Sequence, residues 1–140
     1  MRKALGCAML AALALALPAA VHADDLTGSD RFLCTAVQVT HCTPDGSCQT
    51  DLPWQLNVPQ FIEVDLVART LATTQASGEN RATKISFVSR ENGSIVLQGL
   101  ENGRAFSFMI SEETGMATVA VARESLGVTV FGACTPMPGK

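Results

Sequence analysis

Turn signals recur at short, even intervals in the second half of the chain: Asn92-Gly93, Asn102-Gly103, Thr114-Gly115 and Leu126-Gly127. Asn-Gly between two apolar runs is a strong hairpin signal. Segments of six to eight residues rich in Val, Ile, Phe and Thr predict strands at 85–90, 94–100, 104–110, 116–123 and 128–134. Because turns this close leave no room for helices, we expect this half to form an antiparallel meander of about five strands.

The first half is less regular but also predicts strands. Arg31–Thr40 is a strand by composition, and Phe61–Leu66 is a second one with Thr70–Thr74 as its hairpin partner. Pro53 and Pro59 are expected to keep the intervening segment extended and unpaired. The whole chain therefore predicts about eight strands.

About eight short antiparallel strands in sequence order have two common arrangements, a closed barrel and a two-sheet sandwich. Closure removes the exposed edge strands that promote aggregation. We therefore predict an all-β fold, an antiparallel meander closing into an up-and-down barrel, with a β-sandwich as the alternative. The barrel-like domain is expected to cover residues 24–140 as one unit.

Alternation along the strands predicts which side chains face the barrel interior. One face carries Ile85, Phe87, Ile95, Leu97, Phe106, Phe108 and Ile110, and we expect these side chains to point inward if the hairpin registers align them. The alternation is imperfect, because Val96, Leu100 and Met109 fall on the opposite face. In the strand at 61–66, Ile62, Val64 and Leu66 are expected inward, which leaves Glu63 and Asp65 facing water. A slip of one residue in the pairing would move every one of these side chains to the other face.

The N-terminal segment, residues 1–23, has the pattern of a secretory signal peptide. Arg2 and Lys3 precede the uncharged apolar run Leu5–Leu17, and small residues lead to a cleavage site after Ala23. The run is too short to span a hydrocarbon core of about 30 Å. Cys7 lies at the start of the run, where it is an apolar residue and not a lipidation site. We therefore expect an exported protein, periplasmic or secreted, from a bacterium.

Residues 24–140 contain four cysteines, which suit an oxidising compartment. Cys42 and Cys48 flank the turn sequence Pro-Asp-Gly, which brings the two thiols together. This pairing leaves Cys34 with Cys134 and would tie the first strand to the last. A zinc site formed by these cysteines and His41 is the alternative, but gaps of seven and five residues are unlike the close cysteine pairs of metal sites. No metal is therefore expected.

Composition and charge exclude several classes of function. With 47% hydrophobic and 16% charged residues, the chain is not a disordered polymer. The net charge is −3, and −5 without Arg2 and Lys3, so no basic footprint for nucleic acid exists. Tyrosine is absent and Trp54 is the only tryptophan, which argues against a stacking surface for sugars or bases. The glycines are single turn residues, not a phosphate-binding loop, so no cofactor is expected.

Catalytic residues are scarce. His41 is the only histidine of residues 24–140, and we expect it to be exposed at a strand end. Most acids lie in predicted turns, and Glu63 and Asp65 are expected to face water, so no flanking carboxylate pair is predicted. We therefore predict a protein that is not an enzyme, and a hydrolase assembled from turn residues is the competing hypothesis.

Two long connections, 51–60 and 75–81, are the predicted recognition surfaces in a chain of tight turns. Their candidate binding residues are Trp54, Ser77, Gly78, Glu79 and Arg81. Trp54 is expected to plug one end of the barrel, or else to be an exposed anchor for a partner. Because many large apolar side chains are available to fill an eight-stranded barrel, we favour surface recognition of another envelope protein over carriage of a small apolar ligand.

A small exported barrel, tied by a disulfide between near-terminal cysteines and bearing the Ser-Gly stretch Ala76–Arg81, resembles the periplasmic inhibitors of c-type lysozyme. In that family a loop containing Ser-Gly reaches the lysozyme cleft. The resemblance implies inhibition of an envelope hydrolase through Ser77 and Gly78. The family loop usually carries a tyrosine, whereas this chain has none.

Overall fold

A computed structural model describes residues 24–138, and these form one curled antiparallel sheet. Its strands are β1 (Arg31–Cys42), β2 (Cys48–Asp51), β3 (Phe61–Asp65), β4 (Thr70–Thr73), β5 (Ala82–Lys84), β6 (Phe87–Glu91), β7 (Ser94–Glu101), β8 (Arg104–Ser111), β9 (Met116–Arg123) and β10 (Leu126–Pro136). Two 3₁₀ turns cover Pro53–Leu56 and Gln75–Ser77. The all-β, barrel-like prediction is confirmed. The predicted signal peptide lies outside the described residues.

The strand order is β5-β4-β3-β1-β10-β9-β8-β7-β6, with β2 paired to the second half of β1. The first and last strands are therefore neighbours. Cys34 lies opposite Cys134 with 4.0 Å between their Cα atoms, and Cys42 lies opposite Cys48 in the β1–β2 hairpin. Both predicted disulfides are confirmed. They agree with an oxidising, exported location.

The two edge strands of the sheet, β5 and β6, are consecutive in the chain. At their junction the Ile85 N–H donates to the Arg69 carbonyl and the Ser86 N–H donates to the Gln98 carbonyl, both at 2.9 Å. The chain thus leaves β4 and joins β7 within two residues, and the sheet curls until its edges meet. Closure is incomplete, because no hydrogen-bonded ladder joins β5 to β7 within residues 24–138.

Because the chain changes its pairing strand at this junction, the predicted inward orientation of one side chain, Phe87, is wrong. Ile85 is buried as expected, but Phe87 is 49% exposed and Val88 packs against the core instead. The irregular residue Ser86 shifts the alternation by one position, as a register slip would. The other predicted inward residues of the meander, Ile95, Leu97, Phe106, Phe108 and Ile110, are buried.

The strand at 61–65 also has the predicted orientation. Val64 is buried, and Ile62 and Leu66 pack against the core. On the opposite face, the Asp65 carboxylate lies 3.2 Å from the Arg31 guanidinium. Two strands, β2 and β5, were not predicted, which brings the total within residues 24–138 to ten.

The β1–β2 turn is held by Asp45. Its carboxylate accepts hydrogen bonds from the Thr43 hydroxyl at 2.6 Å and from the Ser47 N–H at 3.0 Å. These bonds, the Thr43 one foremost, lower the pKa of Asp45 because they favour the charged form. The turn therefore holds Cys42 and Cys48 at hairpin spacing.

One end of the barrel is filled and sealed. The buried Leu26 lies across this end, where its N–H donates to the Glu112 carbonyl at 2.7 Å. The Arg90 guanidinium donates to the Leu26 carbonyl at 2.9 Å and also pairs with Asp30 and Glu112. Beneath Leu26 the interior holds large buried side chains, among them Phe32. We call this region the filled end.

Candidate functional site

The opposite end of the barrel is hollow. A cavity of about 270 Å³ opens there, between the β7–β8 turn, the β9–β10 turn and the connections after β2 and β4. Its walls are mainly apolar and include Ile62, Leu71, Phe108, Val119, Val121 and Val130. We call this region the open end. The expectation that side chains fill the barrel is correct at the filled end and wrong here.

The cavity exists because the inward positions near the open end carry small side chains. On β9 these positions hold Val119 and Val121, whereas β7 and β8 carry Ile95, Leu97 and Ile110 nearer the filled end. Phe106 is the large exception, but it lies opposite Gly99, and a Cβ at Gly99 would lie 2.4 Å from the Phe106 ring. Because Gly99 has no side chain, the ring lies against the wall and leaves the lumen open.

Four inward-facing positions at the rim are charged. Arg81 precedes β5, Glu101 ends β7, Arg104 begins β8 and Arg123 ends β9, and all four line the cavity. Arg104 is two residues from Phe106 on β8, so it lies on the inward face. Arg123 follows Val121 by two residues on β9 and shares its face in the same way. The apolar lining of the cavity therefore gives way to charged side chains at the mouth. We call these four residues the rim.

Three of the rim residues are bonded to one another. Arg81 Nη2 donates to both carboxylate oxygens of Glu101, at 3.2 and 3.3 Å, and Arg104 Nη2 donates to one of them at 3.4 Å. The Thr83 hydroxyl donates to the same carboxylate at 3.0 Å, which links β5 to β7 where no ladder joins them. Within residues 24–138, Arg123 has no ion pair with a carboxylate. The rim has a formal charge of +2.

The two connections predicted as recognition surfaces meet at this rim. Asn57, Val58 and Pro59 of the first connection line the cavity. Arg81 of the second connection donates from Nη1 to the Asn57 carbonyl at 3.3 Å. The fold thus brings both connections to the mouth, with Arg81 as the contact between them.

The other candidate binding residues lie away from the cavity. Trp54 is 63% exposed, so the predicted plug is wrong, and the 3₁₀ turn buries its neighbour Pro53 instead. Ser77, Gly78 and Glu79 are exposed on the second turn. There the Ser77 hydroxyl donates to the Thr74 carbonyl at 2.7 Å and accepts from the Glu79 N–H at 3.3 Å.

His41 is less accessible than predicted. Its side chain is 19% exposed, because β2 pairs alongside it, and Nδ1 lies 3.0 Å from the Asp51 carboxylate. It does not line the cavity. In the described part of the chain, no group of three or more His, Cys, Asp or Glu residues is arranged to hold a metal ion.

No family model, no curated protein and no solved structure matches this chain. No helix within residues 24–138 has the length and apolar character needed to cross a membrane. The assignment of a site therefore rests on the cavity and its rim.

Three rim residues are not among the candidate binding residues predicted from the sequence: Glu101, Arg104 and Arg123. Glu101 is one of the acids that the sequence places in predicted turns, because it precedes Asn102-Gly103. The sequence pattern that could have identified Arg104 is the alternation along β8, which puts Arg104 on the same face as Phe106 and Phe108. Only the closure of the sheet shows that four such positions surround one opening.

Proposed function

We propose that this protein is a non-enzymatic binding protein of the bacterial periplasm that holds one small apolar molecule in the open end of its barrel. The cavity of about 270 Å³ carries the proposal. Barrels of about this strand number hold a single small ligand when they are not filled by their own side chains. Ligand pockets in proteins usually measure about 300–1,000 Å³, which puts this ligand at the small end of the range. The signal-peptide pattern of residues 1–23 supports export.

Binding in such a site would be driven by removal of apolar surface from water. A ligand that buries about 200 Å² of apolar surface gains roughly 5 kcal/mol. Part of this gain is lost with the ligand's translational and rotational freedom. We therefore expect weak binding of a small alkyl or aromatic molecule, with dissociation constants of about 1 mM, which corresponds to a net gain of about 4 kcal/mol.

A neutral fluorescent probe, N-phenyl-1-naphthylamine, tests the proposal. The test variant Val119→Phe/Val121→Phe places two aromatic rings in the cavity. The matched control Thr118→Phe/Ala120→Phe places the same rings on the opposite face of β9. We expect saturable 1:1 binding to the native protein and to the control, and its loss in the test variant. Equal binding by both variants, or no binding to the native protein, would contradict a ligand site in the cavity.

Partner capture by the surface loops is a second candidate, favoured by the exposure of Trp54 beside the exposed Leu52. Tryptophan is enriched among the residues that contribute most to protein interfaces. The partner would be another envelope protein, for instance a hydrolase inhibited through the exposed Ser77-Gly78 turn. Replacing Trp54 and the 75–81 loop should then abolish capture from a periplasmic extract without unfolding the barrel. Unchanged capture by that variant would remove this candidate.

A further inference from the structure

We propose that the open end selects a monoanionic amphiphile, an alkyl chain with one carboxylate, whose tail enters the cavity while its carboxylate binds the rim at Arg123. This inference rests on the proposed function, because it assumes that the cavity holds a ligand. It adds the chemistry of the ligand's head and its orientation.

The position of the rim charges supports the orientation. Alternation along β8 places Arg104 on the same face as the buried Phe106, and alternation along β9 places Arg123 on the same face as Val121. Charged residues inside a barrel lose hydration unless they are paired or meet water or a ligand. Arg104 and Arg123 lie at the mouth, each at the next inward-facing position beyond the last apolar side chain of its strand. An amphiphile aligned along the barrel therefore meets apolar surface with its tail and guanidinium groups with its head.

The balance of charge supports the sign of the head group. Glu101 already accepts hydrogen bonds from Arg81, Arg104 and Thr83. It neutralises one of the three arginines, which leaves a rim of formal charge +2. Arg123 makes no ion pair within residues 24–138, and its chain neighbour Glu124 in the β9–β10 turn does not pair with it. Its guanidinium can therefore bind a carboxylate through two parallel hydrogen bonds.

The surroundings make this positive rim specific. The chain as a whole carries a net charge of −3, so it has no general attraction for anions. The side chains of Arg81, Glu101 and Arg104 are only 23–27% exposed, whereas Arg123 is exposed at the mouth, so salt screens the charge of Arg123 more than theirs. An anion would therefore be attracted to the mouth and not to the rest of the molecule.

Three ligands with the same alkyl chain separate the head-group effect from the cavity effect: octanoate, octanol and octylammonium. Each is titrated against bound N-phenyl-1-naphthylamine at neutral pH. We expect octanoate to bind about tenfold more tightly than octanol, the effect of one charge-assisted hydrogen-bonded pair, and octylammonium to bind most weakly. Raising the salt concentration should weaken octanoate and leave octanol unchanged.

Variants of Arg123 assign the effect to a residue. Arg123→Gln should lower octanoate affinity about tenfold without changing octanol affinity, and Arg123→Lys should restore part of the preference. Arg69→Gln, an exposed arginine in the β3–β4 turn away from the cavity, is the matched control and should change neither.

Each contrary outcome has a distinct meaning. If octanoate and octanol bind equally and Arg123→Gln has no effect, the head-group inference is wrong and the cavity function stands. Tightest binding by octylammonium would show that Glu101 sets the preference, which also overturns the inference. If neither the neutral probe nor any of the three ligands binds, the proposed function fails and the inference fails with it.

Discussion

The two ends of the barrel are built from the same strands but differ in what their inward positions carry. At the filled end, Phe32, Ile95 and Ile110 are fully buried beneath Leu26. At the open end, inward positions carry Val119 and Val121, then charges. The filled end supplies the close packing that stabilises the fold, so the open end does not have to be closely packed and can hold a cavity. Loss of packing at one end of a barrel is tolerable where the other end and the disulfides hold the strands together.

The largest expected effect comes from the bridge between the first and last strands. Cys34→Ala/Cys134→Ala opens a loop closed over 100 residues, which should lower the free energy of unfolding by about 4–5 kcal/mol. Cys42→Ala/Cys48→Ala opens a separation of only six residues and should cost roughly half as much. Urea unfolding of both variants measures the difference. Equal losses would show that the long bridge is not what holds β1 against β10.

Truncation of core side chains should separate the two ends. Leu97→Ala creates a new void in the filled end and should cost about 2–5 kcal/mol. Val121→Ala only enlarges the existing cavity, so we expect a loss of about 1 kcal/mol or less. Chemical unfolding of the two variants gives the comparison. A loss for Val121→Ala as large as that for Leu97→Ala would mean that the open end is packed.

A substitution at Gly99 tests whether the missing side chain at this position keeps the lumen open. Gly99→Ala should push the Phe106 ring toward the cavity, since the new Cβ would lie 2.4 Å from it and 2.9 Å from the Lys84 carbonyl. We expect a loss of stability of about 1–3 kcal/mol and weaker probe binding. The control Gly127→Ala meets nothing within 4 Å and should do neither. Unchanged probe binding in Gly99→Ala would show that the Phe106 ring does not limit the cavity.

The smallest effects are expected on the outer face of the same strands. Ala105→Ser, opposite in orientation to the buried Phe106, should change the free energy of unfolding by no more than about 0.5 kcal/mol. Thermal unfolding is sufficient to measure it. A loss comparable to that of Phe106→Ala, about 3–5 kcal/mol, would mean that the register of β8 is inverted.

The fold was predictable because its turns are local. Asn92-Gly93 and Asn102-Gly103 adopt the positive φ angles that two-residue hairpins require, and both lie between the expected strands. The strands β2 and β5 were missed because Cys48–Asp51 and Ala82–Lys84 are short and largely polar. Their pairing depends on β1 and β4, which lie elsewhere in the sequence.

The site was less predictable because it depends on closure. A charge at a strand end has the same local pattern whether the position faces water or a lumen. Arg123 is the last residue of the predicted strand 116–123, and only the curled sheet shows that it lines the mouth of a cavity. The prediction that Trp54 plugs the barrel was wrong for a related reason, since the direction of one 3₁₀ turn decides whether Pro53 or Trp54 is buried. Arg81 is one of the candidate binding residues and lines the cavity, but its contact with Asn57 joins two connections that sequence alone does not bring together.

The central claim is that a small ligand occupies the open end and not the filled end. Methyl ¹H–¹³C spectra recorded during a titration with octanoate test it directly, because both ends carry methyl groups on inward positions. We predict saturable shifts for Val119, Val121 and Val128, which line the cavity, and none for Ile95 or Leu97. Shifts confined to Leu52 beside Trp54, or no saturable shift at any inward methyl group, would contradict the account.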